Sequence, residues 1–100
     1  MAKYDVYSSI SASSEYLLDL QDEIIDNLST RVVAPLVPVD EVPRRMKILN
    51  PIISVAGVEY LLMTHLLAAI PASTLKIKVG SVLTQRDEII ASLDFLFTGF

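Results

Sequence analysis

Apolar and polar positions alternate along much of the chain and change rhythm only in its last segment. From Lys3 to Tyr7, Tyr4 and Val6 fall on one face and Lys3, Asp5 and Tyr7 on the other, the period of a half-buried strand. Ser8 to Glu15 is serine-rich and reads as a mobile connection. Tyr16 to Gln21 resumes the alternation, so the first two strands form a long-looped hairpin. Asp22 to Thr30 is polar except for Ile24, Ile25 and Leu28 and reads as a turn or loop.

Arg31 to Pro38 is rich in β-branched residues but contains Pro35 and Pro38. Proline cannot donate to a ladder, which predicts an edge strand or one broken by a bulge. Val39 to Asn50 is a charged connection. Pro51 to Val55 and Val58 to Met63 flank Ala56-Gly57, which predicts a hairpin with a two-residue turn. Thr64 to Ala69 fits helix or strand equally. Ser73 to Val79 predicts a strand with Leu75, Ile77 and Val79 on one face and Lys76 and Lys78 on the other, ended by Gly80.

The period then lengthens. Ile89, Ile90, Leu93, Leu96 and Phe97 recur at helical spacing and predict one apolar stripe, with Phe97 structural. Thr84 to Asp87 has the form of a capping box. Asp87 and Glu88 suit the positive end of the helix dipole. Gly99 is a natural residue to close the helix in a left-handed conformation. Phe95 projects from the face opposite the stripe, and Phe100 lies beyond the helix. These two aromatics lack an obvious internal pocket, which points to a partner. The pattern is β-rich with one final helix.

Composition sharpens this picture. One hundred residues suit a single domain, 1–100. The hydrophobic fraction of 52% is high for so short a chain and suggests apolar surface shared with another copy. A net charge of −4 argues against nucleic-acid binding by this chain alone. Arg44, Arg45 and Lys47 lie close together but read as a solvated loop. The absence of cysteine removes any dependence on an oxidising compartment. The first residues lack the layout of a signal peptide. The apolar region Val55 to Ile70 is interrupted by Glu59 and His65 and falls short of the roughly 20 residues a membrane helix needs. A cytoplasmic protein with no membrane partner is expected.

Candidate chemistry is sparse. Three glycines form no phosphate loop, and no GxSxG elbow holds a serine. His65, the single histidine, has no HxH or HExxH partner and reads as a partly buried structural residue rather than a metal ligand. Asp19, Asp22, Glu23 and Asp26 read as a solvated rim beside a strand end rather than an acid/base pair. No cofactor, metal, small-molecule substrate or catalytic residue is expected.

Several stretches in order carry a family resemblance: LDLQDEIID (Leu18 to Asp26), RVVAPL (Arg31 to Leu36), LNPIISV (Leu49 to Val55), LMT (Leu62 to Thr64), Ile70-Pro71, and RDEIIASLDFLFTGF (Arg86 to Phe100). Together they resemble the CcdB family of toxins. The resemblance implies an α+β, mainly β fold: a small, strongly twisted antiparallel sheet closed like a barrel, of the CcdB/MazF/Kid type, with a C-terminal α-helix. It implies a homodimer whose final helices lie side by side. It implies a non-enzymatic toxin of a type II toxin–antitoxin module. Such a toxin binds the A subunit of DNA gyrase and traps the cleaved-DNA complex. A CcdA-like antitoxin neutralises it, and the two together bind operator DNA and repress their operon.

By position, the resemblance puts Thr98, Gly99 and Phe100 at the gyrase-binding surface. It puts Ile24, Ile25 and Asp94 at an antitoxin-binding or shared partner surface. Phe100 stands where isoleucine is familiar. Thr98 stands where tryptophan is familiar, and a threonine cannot supply that ring's stacking on a cation. Two other readings are carried: an endoribonuclease of the MazF/Kid type, since fold does not fix function, and a degenerate homologue that only binds an antitoxin.

Overall fold

The period-two segments pair into one curled antiparallel sheet. The structure is a computed structural model and describes residues 2–8, 16–22 and 29–99. Its strands are β1 (Asp5–Ser8), β2 (Tyr16–Asp19), β3 (Thr30–Pro38), β4 (Ile52–Val55), β5 (Val58–Leu62), β6 (Ala68–Pro71) and β7 (Lys78–Ser81), followed by helix α1 (Arg86–Thr98). Among the described residues the order across the sheet is β4-β5-β3-β2-β1-β7, with β6 also on β3.

The expected β1–β2 hairpin forms, with Val6 opposite Leu18. The β4–β5 hairpin also forms, and its turn has both φ angles positive, Ala56 at 51° and Gly57 at 81°. A two-residue turn needs that geometry to follow the right-handed twist of its strands. Glycine adopts it at no steric cost, whereas Ala56 works against a penalty of about 1–2 kcal/mol.

Three expectations change. First, β3 is the centre of the sheet and not an edge. It pairs with β2 on one side and with both β6 and β5 on the other. Pro35 falls between the β6-paired stretch (Thr30 to Val33) and the β5-paired stretch (Leu36 to Pro38). Its carbonyl accepts the Met63 N–H at 2.9 Å across that junction. A residue's N–H and C=O point to the same side of an antiparallel strand, so the missing donor falls where the ladder changes partner. Second, the strand expected over Ser73 to Val79 begins later. Ala72–Thr74 is a 3₁₀ turn that buries Leu75, while Ile77 is 66% exposed. Gly80 lies within β7 opposite Val6 and does not end it. Third, β1 is covered on both faces, with Tyr4, Asp5, Val6 and Tyr7 all buried.

That double covering follows from two apolar layers. On the concave side, Val6, Leu18, Leu36, Ile53, Leu62 and Ile89 belong to one core. Each such fully buried aliphatic side chain contributes about 1.5–3 kcal/mol. On the other side, Tyr7, Val33 and Leu75 form a smaller cluster with Leu17 and Ile70 packed on it.

Strand alternation puts Asp19 and Arg31 on the side of the smaller cluster. There they are 0% and 1% exposed. The Arg31 guanidinium donates to Asp19 Oδ2 from Nε (3.1 Å) and Nη2 (2.8 Å). Nη2 also donates to the Gln21 carbonyl at 2.6 Å. The Gln21 N–H donates to Asp19 Oδ1, and Gln21 Oε1 accepts the Val32 N–H, each at 2.9 Å. The expected solvated rim at Asp19 is therefore a buried ion pair, because its strand position faces a covered side of the sheet. Glu23 and Asp26 lie outside the described residues.

Removing one partner of this pair leaves a buried charge uncompensated. Asp19→Ala is expected to cost about 3–5 kcal/mol in urea unfolding, while joint replacement of Asp19 and Arg31 by apolar residues of similar volume costs much less. Equal losses in the single and double variants would show that the pair is not the source.

Candidate partner-binding surface

Helix α1 is held at its start and middle and projects at its end. The 3₁₀ turn Leu83–Gln85 leads into it, so Thr84 sits inside that turn and the expected capping box does not form. Gln85 takes the cap position and turns its side chain to the sheet. Its Oε1 accepts the Ser54 N–H at 2.9 Å and its Nε2 donates to the Ser54 carbonyl at 3.0 Å. In the middle, the buried Thr64 hydroxyl donates to Ser92 Oγ at 3.2 Å, and the Ser92 hydroxyl donates to the Ile89 carbonyl at 2.7 Å. Beyond Ser92 every described position of the helix is half-buried or exposed.

The expected single stripe is in fact two. At about 100° per residue, Ile89, Ser92, Leu93 and Leu96 share one face, and Ile90 and Phe97 lie together on its flank. Ile89 and Ser92 are fully buried and Leu93 packs on the core. Ile90 is 41% exposed and Phe97 71%. Phe97 is therefore not a structural residue of the core. Phe95, expected to point away from the core, is half-buried instead.

The residues expected at the partner surface fall as follows. Gly99 closes the helix with φ 82° in the left-handed region, and its N–H donates to the Phe95 carbonyl at 2.9 Å. Thr98 and Asp94 are exposed one turn apart, and the Thr98 hydroxyl donates to the Asp94 carbonyl at 2.6 Å. Phe100, Ile24 and Ile25 lie outside the described residues. The surface the structure brings together is thus Asp94, Phe97, Thr98 and Gly99, with Ile90 two turns earlier. Phe97 and Ile90 were misassigned because Ile89 and Ile90 are consecutive, so a stripe drawn through both must span two faces. The usable signal was Ser92: a polar residue buried between Ile89 and Leu96 marks where the core face runs.

His65 also differs from its expected burial. The 3₁₀ turn Thr64–Leu66 turns Thr64 inward and leaves His65 and Leu66 exposed. The His65 Nδ1 lies 3.4 Å from Asn50 Nδ2. Arg31, one of the scattered arginines that a base-reading groove would need, is committed to Asp19 in the interior.

A family model described as CcdB protein matches residues 3–99. No curated protein matches the chain by sequence. Among solved structures, an endoribonuclease in complex with its cognate antitoxin from Mycobacterial species is similar, with a TM-score of 0.79 and 12% sequence identity over 96% of this chain and 93% of that one. At that identity the likeness is one of fold.

The two flanks of α1 are expected to respond differently to truncation. Ile89→Ala should cost about 2–5 kcal/mol of stability. Phe97→Ala should cost less than about 1 kcal/mol, as a surface change does. Thermal or urea unfolding of the two variants at one protein concentration checks this, and comparable losses would place Phe97 in the fold.

Proposed function

This chain belongs to the CcdB family of toxins, and we propose that it is the toxin of a type II toxin–antitoxin module that poisons DNA gyrase with the tip of α1. The observation that carries this reading is Phe97, 71% exposed on the last turn of an otherwise anchored helix. Water-exposed aromatic surface forgoes roughly 25 cal/mol per Å² that burial would recover. A phenylalanine held in this way is suited to a partner. The family resemblance puts a cation-stacking ring at the position of Thr98. Phe97 is the neighbouring residue and presents an aromatic face that can serve the same contact.

The mechanism is binding without catalysis. The tip engages a cavity of the gyrase A subunit that is open in one conformation, and occupancy shifts the enzyme toward its cleaved-DNA state. Thr98, Gly99 and Phe100 complete the tip, with Gly99 turning the chain away from the helix axis. The exposed Ile90 and the half-buried Leu93 provide an apolar strip for a second copy of α1, which doubles the tip by symmetry. A CcdA-like antitoxin competes for the tip and for the surface that includes Asp94, Ile24 and Ile25. With the toxin it binds the operator.

The fold likeness favours a second reading, an endoribonuclease. Against it, His65 is exposed beside Asn50 and Arg31 is sequestered by Asp19. A base-reading groove with an acid/base pair needs such groups gathered at one surface. A homologue that retains only antitoxin binding is the third reading, and the gyrase assay separates it from the first.

Purified protein is expected to inhibit gyrase supercoiling and to accumulate cleaved DNA. Phe97→Ala should weaken both by about tenfold or more, as loss of an aromatic hot spot does. Deleting residues 98–100 should abolish both while leaving the fold intact. An intact protein that leaves gyrase untouched but cuts single-stranded RNA, with the cuts lost in His65→Ala, would establish the second reading.

Sedimentation at micromolar concentration is expected to show a dimer that Ile90→Glu converts to monomer. Only an 11.0 kDa species for the parent protein would refute the paired-helix arrangement.

A further inference from the structure

Among the described residues, the strands β4, β6 and β7 each have a neighbour on one side only. An open strand edge is a template for pairing with another chain unless something blunts it. β7 is blunted by Lys78 within it, by Lys76 just before it, and by the register shift at Val6 and Tyr7 in its pairing with β1. β6 is short and ends on Pro71. β4 has none of these devices. No charged residue occurs from Ile48 to Val58, and the strand itself reads Ile52-Ile53-Ser54-Val55. Uncharged runs of high β-propensity are the ones most prone to pair with their own copies.

The ladder decides which groups of β4 face outward. Across the two-residue turn Ala56-Gly57, Val55 and Val58 exchange both backbone bonds, and bonded pairs then alternate along the hairpin. The Leu62 N–H donates to the Pro51 carbonyl at 3.1 Å, which keeps that alternation at the far end. Ile53 and Val55 therefore face β5, while Ile52 and Ser54 turn their N–H and C=O groups outward. Gln85 takes the whole of the Ser54 pair. Its Oε1 accepts the Ser54 N–H at 2.9 Å and its Nε2 donates to the Ser54 carbonyl at 3.0 Å. One side-chain amide thus makes both bonds that a residue of an added strand would make. We propose that Gln85 is an edge guard: it closes a latent surface of β4 that would otherwise pair antiparallel with β4 of a second copy of this chain. An incoming strand bonds to alternate residues, so with Ser54 taken only Ile52 is left to it within β4. A second copy is the occupant because β4 laid against itself sets uncharged residues opposite uncharged residues, with no like charges to oppose the pairing. Ser54 is exposed, and hydrogen bonds made at the surface add little net stability. Two matched bonds to one edge residue are better explained by the strand they exclude. Gln85 sits at the cap position of α1, so docking of the start of the helix sets the guard. The inference stands apart from the toxin reading and concerns a contact other than the pairing of α1.

The test is the size of the full chain in solution, followed by sedimentation from dilute to concentrated protein, with circular dichroism to verify the fold. Gln85→Ala is expected to remain folded and to gain a species about twofold larger than any the parent forms, because edge pairing about a two-fold axis joins two parent units. Its proportion should rise with concentration. Gln85→Met, which keeps the length of the side chain and loses both bonds, should behave in the same way. Adding Ser54→Pro to either variant removes the outward donor without touching the β4–β5 ladder and should restore the parent's size. Ser54→Lys takes its place if Ser54→Pro alone lowers the melting temperature. Ile89→Ala loosens the core but keeps Gln85, and should not form the larger species. The proposal is overturned if both Gln85 variants stay at the parent's size. It is equally overturned if the larger species survives the change at Ser54, or if Ile89→Ala forms it as readily, since association would then come from another surface or from lost stability.

Discussion

Everything in the sheet is built around β3, and β3 is fixed by the Arg31–Asp19 pair. A strand with two prolines is a poor centre for a sheet, because each proline deletes a donor. What makes it workable is that two different neighbours share one side of β3, and Pro35 falls between them. Such a junction fixes register only if the flanking stretches are held independently. The β6-paired stretch is held by the Arg31 guanidinium, which joins β3 to Asp19 of β2 and to the Gln21 carbonyl just beyond it. A one-residue slip of β3 would send Arg31 into the concave core and leave Asp19 without its partner. A buried ion pair adds little net stability over an apolar substitute. Its contribution here is to penalise the wrong register.

The same logic of polar groups placed in covered positions continues in the helix. Ser92 and Thr64 are both buried, and their hydroxyls bond one another at the place where α1 meets the turn after β5. Gln85 bonds both backbone groups of Ser54 on the edge strand β4. These contacts specify where the helix lies better than apolar packing would, since apolar faces tolerate sliding. Both sets of contacts lie at or before Ser92. Phe97, Thr98 and Gly99 are exposed as a consequence of where the anchors stop.

Much of this was legible in the alternation of residues, and the failures have physical causes. Ala56-Gly57 was readable because a two-residue turn leaves few alternatives. Gly99 was readable because only a residue without Cβ enters the left-handed region freely. The β1–β2 hairpin was readable from its period. The central position of β3 was not, because a local rule about proline cannot see that the ladder changes partner at Pro35. Leu75 and Ile77 were expected on one face, and the 3₁₀ turn that separates their fates depends on tertiary packing over β3. On α1, the helix-closing place of Gly99 was legible, while the exposure of Phe97 was hidden by a stripe that ran through both Ile89 and Ile90. Asp19 looked solvated because its neighbours in sequence are polar. Its burial comes from Tyr7, Val33 and Leu75, which only the folded sheet gathers on that side.

The division between anchored body and projecting tip bears on how one small chain can meet several partners. A side chain cannot both hold a core and leave it to enter another protein, so contacts to partners must come from residues whose removal the fold survives. On α1 that condition separates Ile89 and Ser92 from Ile90 and Phe97 across a single step of the helix. Around the β3–β4 connection it separates the buried Leu49 and Asn50 from the exposed Met46 and Ile48 within a few positions. In both places exposed apolar residues share a short segment with a buried polar one, Ser92 in the helix and Asn50 in the loop. The buried polar group holds the backbone, and the exposed apolar residue is carried on that held backbone at no cost to the core. Surface residues arranged in this way can change without disturbing the anchors: Thr98 is exposed on the last turn of α1, beyond Gln85 and Ser92, whose bonds to Ser54 and Thr64 set where the helix lies.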